Sequence, residues 1–139
     1  MNKILVALAA IVLLAACKTK DANNLEGGTV KLKGTIKGMD TGWLEMLVPS
    51  RENQKVDSIK IVKAAFEYKL DVKEPDLLVM RVAGTHGGEL AFWADPGTVT
   101  ITANKDSMWS SKIEAGPTQV LYKEVETKVK TIMDKGQAL

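Results

Sequence analysis

His86 is the only imidazole of the chain, and it stands in Gly84-Thr85-His86-Gly87-Gly88, where a flexible loop would present it as a base or a ligand. Its setting reads more simply as a hairpin tip. The same glycines lack the strand–loop–helix context and the Lys-Ser/Thr pair of a phosphate cradle. Asp57, Ser58 and Asp95 are the most suggestive hydroxyl and carboxyl groups. Glycoside hydrolysis needs two carboxylates flanking one cleft, and no spacing here pairs any two, so Asp57 and Ser58 are expected to make turn or edge hydrogen bonds. Trp43, Trp93 and Trp109 could stack a sugar or a peptide, since an indole offers a flat apolar face with a polar handle. Trp43 and Trp93 fall in strand patterns and are expected to pack in the core. Trp109 sits in the polar run Lys105 to Lys112, where an exposed aromatic needs a reason. Trp109, His86 and Asp57 are therefore the residues to examine for contact with a ligand or partner. With one Cys and one His, zinc centres, CxxC redox pairs and Cys–His couples lack their ligands, so no metal and no cofactor is expected.

The elements that must position these residues begin with an address. Met1-Asn2-Lys3 precedes the apolar run Ile4 to Leu14 and the small residues Ala15-Ala16 before Cys17, the layout of a secretory signal peptide. The run is too short to span a bilayer, which takes about 20 apolar residues, and Lys18-Thr19-Lys20 follows at once. Leu14-Ala15-Ala16-Cys17 resembles the bacterial lipobox, which implies cleavage after residue 16 and acylation of Cys17. The expected partner at this end is a membrane. A three-chain anchor far exceeds the marginal hold of one acyl chain. Lys18 is not the Asp that retains enteric lipoproteins at the inner membrane, so an outer-membrane address in the bacterial envelope is expected. Residues 17–28 hold Leu25 as their only large apolar residue and end in two glycines, reading as a tether.

The body, residues 29–116, alternates with period two. Val30, Leu32 and Ile36 face one side against Lys31, Lys33 and Lys37, and Leu44, Met46 and Val48 repeat the pattern after a turn at Gly38 to Gly42. Further strands are expected at Val56 to Val62, Phe66 to Val72, Leu77 to Val82, Leu90 to Ala94, Val99 to Ala103 and Lys112 to Ala115. Asp95-Pro96-Gly97 is a strong turn signal. Seven or eight short strands without intervening helices predict a mainly β domain, an antiparallel β-sandwich or open barrel. Residues 117–136 change character: Val120, Leu121, Val125, Val129, Ile132 and Met133 recur at three-to-four spacing as one amphipathic helix. Pro117 suits its first turn and Gly136 its cap. Glu124/Lys128 and Glu126/Lys130 are spaced to pair on the solvated side. The apolar stripe is expected to pack on the sheet, with docking to a partner as the alternative. A net charge of +2 marks neither nucleic acid nor an acidic substrate.

Leu32-Lys33-Gly34-Thr35-Ile36-Lys37-Gly38, Lys55-Val56-Asp57-Ser58, Phe66-Glu67-Tyr68, Glu74-Pro75, Asp95-Pro96-Gly97-Thr98-Val99-Thr100-Ile101 and Ile113-Glu114-Ala115-Gly116 stand in an order that resembles domain of unknown function 4369. The likeness covers roughly Val30 to Gly116. It departs at Lys63-Ala64-Ala65, where relatives commonly carry a glycine in the turn. In that family the domain often lies between a lipoprotein signal and a thioredoxin-like domain of the TlpA/ResA type, whose CxxC is the redox site. These 139 residues hold no CxxC, so that activity is not carried over. The expectation is a non-catalytic, lipid-anchored binding or assembly module with an envelope protein as partner. The alternative is an accessory that associates with a separate thioredoxin-like thiol–disulfide oxidoreductase.

Overall fold

A computed structural model of the chain describes residues 27–53 and 55–137. The signal peptide, Cys17 and all but the end of the tether lie outside the described residues. Eight strands follow in order: β1 Gly28–Lys37, β2 Thr41–Leu47, β3 Asp57–Val62, β4 Ala65–Val72, β5 Asp76–Val82, β6 Leu90–Ala94, β7 Gly97–Asn104 and β8 Lys112–Glu114. A single 3-10 turn, Met108–Ser110, precedes β8, and α1 spans Pro117–Gln137. All strands join one mixed sheet in the order β6-β5-β2-β3-β4-β1-β7-β8.

The sheet is an open barrel, nearly closed. The chain itself requires the curl: β6 lies at one end of the strand order and β7 next to the other, yet only Asp95 and Pro96 separate them. Three Cα–Cα steps reach at most about 11 Å, so the two ends must come together. Met108 fills the remaining gap, buried to 3% exposure, in a turn that packs on both β6 and β7. One core results. Val30, Leu32, Leu44, Met46, Leu78, Phe92 and Ile101 are almost wholly buried inside it, and each occupies an inward position of its period-two strand.

Two expectations about the sheet are corrected. It is not antiparallel throughout, because β1 pairs with β7 in parallel from Val30↔Gly97 to Lys37↔Asn104. The parity of the order explains this. From β6 to β1 the direction reverses at each of five antiparallel steps, and the Asp95-Pro96 reversal turns β7 against β6 as well. β1 and β7 must then run the same way. Trp43 is also not a core residue: it is 49% exposed, since burying Leu44 and Met46 on β2 forces their odd-numbered neighbours outward.

β3 and β4 form a hairpin across a two-residue turn, with Val62 paired to Ala65. Lys63 and Ala64 both take left-handed backbone, φ 51° and 58°, the conformation for which Asn-Gly is the favoured pair. The turn is therefore tight despite having no glycine. Ala64 is pinned on both sides, its N–H donating to the Asp40 carbonyl at 3.0 Å and its carbonyl accepting from the Ile36 N–H at 2.9 Å. Left-handed backbone costs an ordinary residue roughly 1–2 kcal/mol. Replacing Lys63-Ala64 by Asn-Gly should raise stability by about 1–2 kcal/mol, read as a higher urea midpoint with an unchanged slope.

Candidate functional site

The joint between α1 and the barrel is built from residues far apart in sequence. Asp95, at the end of β6, accepts from the Thr118 backbone N–H at 3.0 Å and from the Thr118 hydroxyl. A carboxylate from another element thus does the work of an N-cap, satisfying a first-turn donor and favouring the positive end of the helix dipole. One residue on, Gln119 is buried to 3% exposure, and its Oε1 accepts from the Trp93 N–H of β6 at 2.8 Å. That bond uses a free donor of the sheet edge, so the helix's first turn covers β6 where the barrel stays open. Gln119 Nε2 has no protein partner among the described residues.

Beyond this turn the helix leaves the barrel. Leu121, Val125, Val129, Ile132 and Met133 are 61%, 51%, 49%, 69% and 59% exposed. The expectation that the stripe packs on the sheet is therefore overturned; periodicity reports an apolar face, not what covers it. The helix also runs through Gly136, which does not cap it. Neither Glu124/Lys128 nor Glu126/Lys130 pairs among the described residues; Lys123 instead bonds Glu126 at 2.9 Å. Two shallow surfaces flank α1. One lies against β8, between Ile113, Ala115, Val120 and Thr127. The other lies away from the barrel along Tyr122, Val125, Val129 and Met133.

The residues nominated for contact do not converge on this joint. His86 is exposed in the β5–β6 hairpin loop, as its setting suggested. Trp109 is 69% exposed on the turn that plugs the barrel. It stands beside the same loop, since a side chain at Gly88 would come within 4.0 Å of its Cδ1. Asp57 lies elsewhere, at the start of β3, accepting from the Tyr68 hydroxyl of β4 and lying 3.7 Å from Lys55 Nζ. The bond joins two neighbouring strands inside the sheet order and is neither at a turn nor at a sheet edge. No cluster of three or more His, Cys, Asp or Glu able to hold a metal occurs among the described residues. No described helix is long and apolar enough to cross a membrane.

Burial pushes the Tyr68 phenol up to about 12, and the hydrogen bond and charge of Asp57 push the same way. A raised pKa means that the folded state keeps a proton which the unfolded state loses from about pH 10. Its contribution is complete below that pH and fades as pH rises towards 12. Stability should therefore fall between pH 10 and 12, and Tyr68→Phe should flatten that decline, as followed by urea midpoints across the range.

The family described as domain of unknown function (DUF4369) matches residues 30–122. The chain belongs to this family. No curated protein and no solved structure matches it. The DUF4369 match runs from β1 through the Asp95–Thr118 contact and Gln119, so the joint falls inside the matched span. The exposed helix from Lys123 onward lies beyond it. Asp95 stood out in the sequence as a suggestive carboxylate and as part of a turn, but not as the acceptor for a helix start. The signal that could have found its second role is Thr118 just after Pro117, a helix start whose donor needs an outside acceptor.

Proposed function

We propose that this DUF4369 protein is a lipid-anchored lipoprotein of the bacterial envelope, held in the outer membrane through acylated Cys17, and that it is a non-catalytic assembly module. Residues 17–28 tether the barrel to the lipid, the barrel is a rigid base, and α1 is the contact element. One observation carries this reading: a helix fixed to the barrel by its first turn while its apolar stripe stays 41% to 69% exposed from Leu121 to Met133. An amphipathic helix gains most of its stability from packing its apolar face against something else. Contiguous exposed apolar surface on such an element marks an interaction site.

The anchor is tested by the intact mass of the protein extracted from bacterial membranes. The reading expects a chain beginning at Cys17 and carrying acyl groups. A chain that retains residues 1–16, or one cleaved without lipid on Cys17, overturns it.

A further inference from the structure

We infer that the partner covering α1 is a second copy of this chain, paired through a parallel two-helix seam; the inference rests on the assembly reading above. Tyr122, Val125, Val129 and Ile132 follow one another at steps of three, four and three, the a/d spacing of a coiled coil, and Gly136 closes the series. All four are exposed. This seam is offset from the surface that faces β8, which is formed by Val120, Lys123 and Thr127, so a second helix can reach it without displacing the barrel.

The area suits a copy of the same helix. The six side chains Leu121, Tyr122, Val125, Val129, Ile132 and Met133 are 41% to 69% exposed. From Leu121 to Met133 they form one apolar stripe about 18 Å long, and an equal stripe on a second helix doubles the area covered. A standard interface covers about 800 Å² per partner. The flanking residues choose the direction. Glu126 and Met133 hold the positions after d, while Leu121, Lys128 and Lys135 hold those before a. An antiparallel pair would set Glu126 near its own copy and Lys128 near its own copy, like charge against like. In a parallel pair Leu121 meets Glu126 of the other copy and Lys128 meets Met133, with no repulsion. Just over two heptads is short for a free coiled coil. Here each helix is already fixed at its first turn, and anchoring to one membrane raises the effective concentration of copies.

The test uses the full chain in its membrane, with Val129→Cys as the probe. In a parallel in-register pair, Val129 faces its own copy, so mild oxidation should give a disulfide-linked dimer on a non-reducing gel. Thr127→Cys, on the opposite side of the helix, should stay monomeric, and Val125→Asp added to Val129→Cys should abolish the crosslink. Val125 is 51% exposed, so this change leaves the barrel core intact. The unsubstituted chain is the control for Cys17, which cannot crosslink once acylated. Monomeric Val129→Cys on a chain whose Cys17 is acylated, or crosslinking of Thr127→Cys to the same extent, overturns the pairing and leaves the anchor standing. A dimer formed by the unsubstituted chain, with Cys17 free by mass, overturns the anchor instead.

Discussion

Gly34→Val is expected to lower the stability of the barrel more than any other single change at a strand glycine. Gly34 sits in β1 with β4 on one side and β7 on the other, opposite Phe66 in one register and Ile101 in the other. A Cβ there would lie 2.6 Å from Phe66 Cζ and would also strike the Ile101 carbonyl oxygen. The phenyl ring thus occupies the space that a side chain would need, and the carbonyl belongs to sheet backbone that cannot move without breaking the β1–β7 ladder. Overpacking of this kind costs about 1–3 kcal/mol and more where backbone must shift, a large share of the roughly 5–15 kcal/mol that holds a domain of this size together. Gly136→Ala supplies the contrast: a Cβ at that helical position meets nothing within 4 Å, and the change should be neutral or gain up to about 1 kcal/mol. Urea unfolding followed by tryptophan fluorescence separates the two. A Gly34→Val protein with the parent midpoint would refute the close approach.

Asp95→Ala should release α1 and leave the barrel folded. The substitution removes both acceptors of Thr118, leaving a first-turn N–H without its cap, at a cost of about 2 kcal/mol. That loss is local, because the barrel core contains neither residue. Gly116→Ala should act in the same direction by another route. Its Cβ would lie 2.8 Å from the Asp95 Cβ and would collide with the carboxylate, pushing it off Thr118. In a membrane-free monomer, amide exchange at Thr118 to Val120 should quicken roughly thirty-fold in Asp95→Ala, with the β1 and β7 amides unchanged. Loss of protection in the strands as well would show that joint and barrel fold as one unit.

Most strands were legible because one solvated wall and one buried wall write period two into the sequence, as at Val30-Leu32 and Phe66-Leu70-Val72. Pairing was less so. Nothing local in β7 announces a parallel neighbour; that follows from the parity of the whole strand order and from the two-residue link at Asp95-Pro96. Trp43 was readable in principle, since the burial of Leu44 and Met46 already assigned it to the outer wall, but its size suggested the core. The Lys63-Ala64 turn hides its geometry because neither residue favours left-handed backbone, and neighbouring carbonyl and amide contacts hold it there. The helix was visible from its spacing, but its docking was not. The anchoring bonds come from Asp95 and Trp93, more than twenty residues away. Gly34 was quoted for its place in a motif, yet the reason for a glycine there is the ring of Phe66, which only the register supplies.

Whether the apolar face of α1 is covered when the protein sits in its own membrane is measured directly by oxidative footprinting of native membranes. Tyr122 lies on the seam and Met133 flanks it, whereas Trp109 and Trp43 are exposed on the barrel surface at 69% and 49% and serve as references within the same chain. Met133 and Tyr122 should be protected in the membrane and become reactive when the protein is dispersed in detergent as a monomer, with Trp109 and Trp43 equally reactive in both. Met133 oxidising as fast in native membranes as in the dispersed monomer would mean that nothing covers this face.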